Sequence, residues 1–270
     1  MTFPLLCLST TQKDHFAKLT PYPQKHSWDK LYEKEISNHA DNPADEGTVW
    51  FDDSDAEAKI VQFLDEHAQS DFDLDCAAAS VLDLGCGNGS LLFALRDEGW
   101  CGRLVGVDYS ERSVELARAV GVSRREEEEG GEDQEGEVEF KVWDVLGGSL
   151  DDVPAAAAST GSGAGWDLVL DKGTFDAVSL SGERDAQGRR VFEGYGERVL
   201  QLLRTGGIFL VTSCNWTEAE LREWFVDKTR ATEAGERLRL AGRVEYPSFS
   251  FGGVKGQTIS TLCFEKVEAE

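Results

Sequence analysis

The residues best placed to do chemistry lie in Val81-Leu82-Asp83-Leu84-Gly85-Cys86-Gly87-Asn88-Gly89-Ser90. A short apolar run ends in three glycines at alternate positions, and a helical pattern follows in Ser90-Leu91-Leu92-Phe93-Ala94-Leu95. Strand, tight turn and helix in this order open a nucleotide-type crevice in a doubly wound sheet. Glycine there permits otherwise strained backbone angles or a close approach by a ligand. The spacing D-x-G-x-G-x-G differs from the dinucleotide pattern G-x-G-x-x-G and from a phosphate loop ending in Gly-Lys-Ser/Thr. No basic residue stands nearby to hold a phosphate.

A second apolar run, Arg103-Leu104-Val105-Gly106-Val107, ends in Asp108. An acid at the end of the second strand, about 20 residues past the glycines, is where a ribose hydroxyl pair is held. The pattern therefore asks for an adenosine-like ligand without phosphates, in an acidic setting. S-adenosylmethionine, with its ribose, free amine and cationic sulfonium, fits. The bland alternative is a tight turn that binds nothing. A third strand, Val138 to Val142, leads into Trp143-Asp144-Val145. Asp144 can accept a bond from an adenine amino group, with Trp143 or Val145 against the ring. A fourth strand, Trp166 to Asp171, opens into Asp171-Lys172-Gly173-Thr174-Phe175-Asp176-Ala177, the edge of the crevice where substrate meets cofactor.

The remaining elements position these strand ends. Residues 1–26 read as a loose arm. Ser27 is expected to cap a helix that places Trp28, Leu31, Tyr32 and Ile36 on one face. A polar loop and the aromatics Trp50 and Phe51 precede a second helix, with Ser54-Asp55-Ala56-Glu57 as a capping box. These two helices, spanning 27–70, form a lid over the crevice. A helix over Val114 to Val120 runs into an acidic low-complexity stretch, residues 124–137, that buries nothing and reads as a disordered insertion. Ala155 to Gly165 is a second flexible stretch. A helix bearing Val191, Tyr195, Val199, Leu202 and Leu203 is expected to end at Gly206-Gly207. Strand five is Ile208 to Ser213, and Thr217-Glu218-Ala219-Glu220 caps the helix after it. Arg243 to Phe251 and Thr258 to Phe264 read as a closing antiparallel pair.

The chain has 270 residues, 40% of them hydrophobic, which suits one large α/β domain over 27–270. Its net charge of −24 argues against nucleic acid or an anionic membrane as partner and permits a basic protein. Solubility alone accounts for the charge equally well. The six cysteines form no C-x-x-C and no metal spacing, so no metal is expected and a reduced, cytoplasmic chain is the simplest account. The apolar start lacks a basic region and a cleavage site, and no run is long enough to span a membrane.

With these residues in view, the chain resembles class I, seven-strand S-adenosylmethionine-dependent methyltransferases. Finer motifs narrow the resemblance: Trp28-Asp29-Lys30-Leu31-Tyr32-Glu33-Lys34-Glu35, Gly47-Thr48-Val49-Trp50-Phe51, Asp171-Lys172-Gly173-Thr174-Phe175-Asp176-Ala177-Val178-Ser179-Leu180 and Thr212-Ser213-Cys214-Asn215-Trp216-Thr217. They are similar to the family that methylates a lysine of translation elongation factor 1-alpha, from about Trp28 to Val267. The resemblance implies a Rossmann-like seven-stranded sheet, mostly parallel with an antiparallel last strand and helices on both faces. It implies cofactor contacts at Trp28, Trp50, Asp83, Gly85, Gly87, Asn88, Gly89, Asp108, Tyr109, Asp144, Val145 and Asp171. Asp83 is expected to reach the methionine amine, Asp108 the ribose, and Asp144 with Val145 the adenine.

Asp171, Asn215 and Trp216 are expected at the point of transfer. The alternatives are that Asp171 caps the next turn and that Trp216 packs on the Trp224 helix. The expected partner is elongation factor 1-alpha, met by a monomer in the cytoplasm, with the nucleus also open to it. The lysine amine, of free pKa about 10.4, must lose its proton before attack. All four histidines precede the sheet, so loss to water is expected. The rival readings are a methyltransferase for a small molecule or another protein, and a scaffold that retains the fold without activity.

Overall fold

The computed structural model describes residues 25–127, 137–155, 164–184, 188–251 and 254–268. Helix α1 (Lys25–Asp41) and helix α2 (Ala56–Asp71) come first. Then follow β1 (Val81–Leu84), α3 (Ser90–Asp97), β2 (Leu104–Asp108), α4 (Glu111–Glu127) and β3 (Glu139–Val142). The second half has β4 (Trp166–Lys172), α5 (Thr174–Leu180), α6 (Tyr195–Leu202), β5 (Leu203–Ser213), α7 (Glu218–Arg222) and β6 (Arg237–Val244). The hairpin β7 (Ser248–Phe251) and β8 (Val254–Gln257) precedes the last strand, β9 (Ser260–Val267). The main sheet has the order β3-β2-β1-β4-β5-β9-β6. All neighbours pair in parallel except at β9, which runs antiparallel to both β5 and β6.

Strand residues alternate between two apolar layers, as the two-residue period of a strand requires. Val81, Leu104, Leu168, Leu170, Ile208 and Leu210 face the layer that holds Ile60, Leu64, Leu92 and Val120 of α2, α3 and α4. Leu82, Leu84, Val105, Val169, Phe209 and Val211 face the layer of Phe175, Tyr195, Val199, Leu221 and Phe225. Burial on both faces explains why the inner strands read as continuous apolar runs.

Several local expectations need correction. Helix α1 starts at Lys25, so Ser27 lies inside it and is not its cap. The Ser54–Glu57 box does not form. The residue before α2 is Asp55 in the left-handed region, Ser54 bonds Thr258, and Glu57 accepts instead from the Ser90 hydroxyl. The Thr217–Glu220 box does form, each side chain meeting the other's backbone N–H. Gly206-Gly207 does not end a helix. Leu203 pairs with Trp166 and Ile208 with Leu168, so the glycines sit in a bulge of β5. A Cβ on Gly207 would lie 2.8 Å from the Trp166 carbonyl oxygen, which explains the residue there. The closing pair is β6 with β9, and β6 begins at Arg237 rather than Arg243. Helix α4 continues to Glu127, four residues into the expected acidic insertion, held by Arg124 to Glu46 and Asp97. The rest of that insertion, 128–136, lies outside the described residues, as do 1–24 of the arm and 156–163 of the second flexible stretch.

Candidate active site

The carboxyl ends of the parallel strands meet the two leading helices around one cavity of about 470 Å³. Its floor is Gly85. Gly85, Gly87 and Gly89 all have positive φ, at 69°, 58° and 85°, so each needs the left-handed freedom of glycine. A Cβ on Gly85 would sit 2.0 Å from the Thr174 hydroxyl oxygen, which donates to the Leu84 carbonyl. The turn is thus packed closely against the first turn of α5.

One wall carries Asp108, Tyr109, Trp143, Asp144 and Val145. Asp108 is buried, and its carboxylate accepts from the N–H groups of Ser110 and Gly87 and the Ser113 hydroxyl. Burial outweighs these bonds and pushes its carboxyl up to about 6. Tyr109 is pushed up too, by burial and by Asp108 beside it. Asp144 accepts from the Leu146 N–H and is exposed. The Trp143 indole N–H donates to the Ser149 carbonyl, which fixes the ring beside Val145.

The lid wall is aromatic: Trp28 and Tyr32 of α1, with Trp50 and Phe51 from the loop behind it. Trp28 meets Trp50 edge to face at 5.5 Å. The lid is tied to both sides of the crevice. Asp29 accepts from the Ser110 hydroxyl, beside Asp108, and the Asn88 amide donates to the Glu46 carbonyl. Lys172 donates to the Trp50 carbonyl and pairs with Glu57 at 3.2 Å.

The far wall is Lys172, Gly173, Thr174, Asp176 and Ala177 at the end of β4, with Cys214 and Asn215 after β5. Asp176 is buried; its carboxylate accepts from the Ser213 hydroxyl and the Cys214 N–H. Burial holds its carboxyl at about 6 despite those donors. The Asn215 side-chain nitrogen is buried and has no hydrogen-bond partner among the described residues.

Of the expected site residues, Trp28, Trp50, Gly85, Asp108, Tyr109, Asp144, Val145 and Asn215 line the cavity. Gly87, Asn88 and Gly89 shape the turn behind its floor without forming the wall. Asp83 is buried behind it as well, raised to about 7 by burial and drawn down by the Lys172 charge. Asp171 and Trp216 are not on the wall; each takes its alternative place, Asp171 as a cap and Trp216 against the Trp224 helix. Asp171 shares the β4 face of Val169, so its side chain turns away from the lid. There its carboxylate accepts from the N–H groups of Thr174 and Phe175 and from the Tyr195 hydroxyl. It caps the first turn of α5. Trp216 packs on Phe175 and Trp224, with its N–H on the Ser179 hydroxyl. Sequence reasoning assigned no role to Tyr32, Lys172 or Asp176. Their signal was present: Tyr32 lies one helical turn from Trp28, and Asp176 five residues past Asp171 in the same motif.

Among the described residues, no group of His, Cys, Asp and Glu could hold a metal, and no helix is long and apolar enough to cross a membrane. The cavity suits an adenosyl ligand bearing cations: acceptors for hydroxyl and amino groups, aromatic faces, and more carboxylates than cations.

Comparison with known proteins agrees with that chemistry. A methyltransferase domain family matches residues 76–253. Protein-lysine N-methyltransferase EFM4 of Saccharomyces cerevisiae is 39% identical over 246 residues, covering 90% of this chain and 93% of the yeast protein. EEF1A lysine methyltransferase 2 of Homo sapiens is 31% identical over 240 residues, covering 89% of this chain and 84% of the human one. The solved methyltransferase domain of bacterial CtHen1-C shares the fold, with a TM-score of 0.51 at 16% identity over 80% of this chain and 99% of that one. The chain belongs to the class I S-adenosylmethionine-dependent methyltransferases and, within them, to the protein-lysine N-methyltransferase family that includes EFM4.

Proposed function

We propose that the enzyme methylates a lysine of translation elongation factor 1-alpha, and that it does so as a monomer in the cytoplasm. The observation that carries the substrate reading is that similarity to the elongation-factor enzymes runs through nearly the whole chain, lid and far wall included. The net charge of −24 favours a basic protein surface as partner.

S-adenosylmethionine supplies an electrophilic methyl group on a cationic sulfur. Asp108 would hold the ribose and Asp144 with Val145 the adenine, while the Gly85 turn would receive the methionine part. Trp28, Tyr32, Trp50 and Phe51 keep water out. The target side chain enters on the side of Asn215. A dry cavity lowers the pKa of an incoming amine by desolvation, and a neighbouring positive charge lowers it further. Alignment of the reacting atoms can supply on the order of 7–11 kcal/mol. Among the described residues no histidine lines the cavity: His39 is held by the Asp45 carbonyl and Ser123, and His67 pairs with Asp71 at the surface. In this reading the amine gives its proton to water.

The test is transfer of labelled methyl to purified, unmethylated elongation factor 1-alpha and to an extract, with and without ribonuclease. One labelled protein of the factor's size supports the reading. A ribonuclease-sensitive or small-molecule product, or a different protein, replaces the substrate and leaves the fold and cofactor in place.

A further inference from the structure

The far wall presents one carboxylate whose partners do not balance its charge. Asp176 is 4% exposed, lines the cavity, and makes no ion pair among the described residues. Its two oxygens meet neutral donors, the Ser213 hydroxyl, the Cys214 N–H and thiol and the Asn215 N–H, and no cation among the described residues. Other buried acids nearby differ. Asp167 has Arg204 at 2.6 Å, and Asp83 feels Lys172. Asp108 stands at the second-strand end, the usual place for a ribose. Asp171 faces away from the cavity and is closed by Tyr195 and two N–H groups. Burying a carboxylate without a cation is costly, so an unpaired one on a cavity wall is a place prepared for a cation. Asp176 is also rigid. Ser213, which donates to it, accepts from the N–H groups of Asn215 and Trp216, so the carboxylate and the turn after β5 hold each other. The unpartnered Asn215 amide nitrogen lies in that same turn, on the same wall. Two polar groups adjacent on one wall, one lacking a cation and one lacking an acceptor, describe a peptide-bearing ammonium: a lysine side chain with backbone carbonyls nearby.

We propose that Asp176 is the positioning residue for the target lysine, accepting N–H bonds from its amine, while the Asn215 amide donates to a carbonyl of the substrate chain. The proposal rests on the lysine substrate reading above. It gives the DKGTFD segment a division of labour: Asp171 builds the turn, and Asp176 uses it to meet the substrate. The amine keeps N–H bonds to the carboxylate after losing one proton to water, which directs its lone pair away from Asp176.

The test compares the full-length enzyme with Asp176→Asn on unmethylated elongation factor 1-alpha. Leaving one member of a buried charge pair alone predicts a KM for the factor raised about 30-fold or more. The turnover number should change much less, and S-adenosylmethionine affinity should stay the same. An unchanged KM, or a loss confined to cofactor affinity, overturns the proposal. A second measurement needs no variant. Binding of n-butylammonium and of 1-butanol, matched in length, is measured on the wild-type enzyme saturated with S-adenosylhomocysteine. A preference of about tenfold for the cation supports the assignment, and equal binding overturns it. This arm decides the matter if Asp176→Asn fails to fold. It also decides it if the wild-type enzyme leaves the elongation factor unmodified, in which case only the substrate reading falls.

Discussion

The two halves of the cavity are built by different means. On the β1–β3 side, each polar group stands at a strand end or in the tight turn after it: Gly85 after β1, Asp108 closing β2, Asp144 just past β3. Strand register places them, and donors from adjoining turns and the start of α4 fix the carboxylates. On the β4–β5 side, the wall is set by side chains that hold one another. Asp171 caps α5, Tyr195 closes on Asp171, Ser213 binds Asp176, and Trp216 fills the layer behind. A ligand shared by many proteins is met by backbone geometry. The group that differs between substrates is met by a side-chain network, which can change without disturbing the sheet.

The largest effect is expected from breaking the first half. Asp108→Ala removes the carboxylate that closes β2 and the acceptor for Ser110, Ser113 and Gly87. S-adenosylmethionine binding should weaken about 100-fold, as losing hydrogen bonds to a charged group implies. Calorimetric titration checks it. Binding within a few fold of wild type would mean that strand-end geometry does not hold the ribose.

The second half should answer differently. Asp171→Ala leaves two buried N–H groups and the Tyr195 hydroxyl without their acceptor. Unsatisfied buried groups cost about 1–3 kcal/mol each before the surroundings relax, so a loss of about 2–4 kcal/mol is expected. That corresponds to a melting temperature lower by about 5–15 °C. Below that temperature the KM for the protein substrate should move little. Thermal denaturation beside steady-state kinetics separates the two residues: Asp171→Ala acts on stability, Asp176→Asn on KM. If Asp171→Ala raised KM as strongly as Asp176→Asn, the two acids would have to be regarded as one unit.

The same contrast explains what could be read in the sequence. The glycine turn, the acids Asp108 and Asp144 and the aromatic lid follow from period, spacing and motif, and the sheet with its antiparallel last strand from the family resemblance. Those signals are local, and register carries them to the cavity. For Asp171 the choice between transfer point and cap stayed open because its motif identifies a segment and not a side-chain direction. The alternation of β4 does contain the answer: Val169 and Asp171 share the face of the α5–α6 layer, and Lys172 turns to the lid. The Ser54–Glu57 box failed for a tertiary reason, since Glu57 has a cation and a hydroxyl as partners from β4 and α3. The extent of β6 was hidden by its exposed edge. Arginines alternate with small and apolar residues along it, most positions are exposed, and only Leu238 and Val244 are buried.

The smallest effect sharpens the comparison through pH. Burial raises Asp83 and Asp171 to about 7, and Asp108 and Asp176 to about 6. An unfolded aspartate titrates near 3.9, so between roughly pH 4 and 7 the folded protein binds more protons than the unfolded chain. Stability must then fall as pH rises through that window. The ligand-free enzyme should melt several degrees lower at pH 7.5 than at pH 5.5, in line with the usual response to a change of about 1–2 kcal/mol. General acidic repulsion acts in the same direction but is nearly the same in every variant, so the informative quantity is the difference in slope. Asp176→Asn should flatten the dependence with or without cofactor, because no cofactor group is assigned to the far wall. Asp108→Asn should flatten it only without cofactor, because bound S-adenosylmethionine already favours the ionised carboxylate. Melting curves at four pH values, with and without cofactor, give both slopes. An Asp176→Asn slope equal to that of wild type would mean that this carboxylate does not titrate in the window, and that its unpaired charge is not what the far wall offers a substrate.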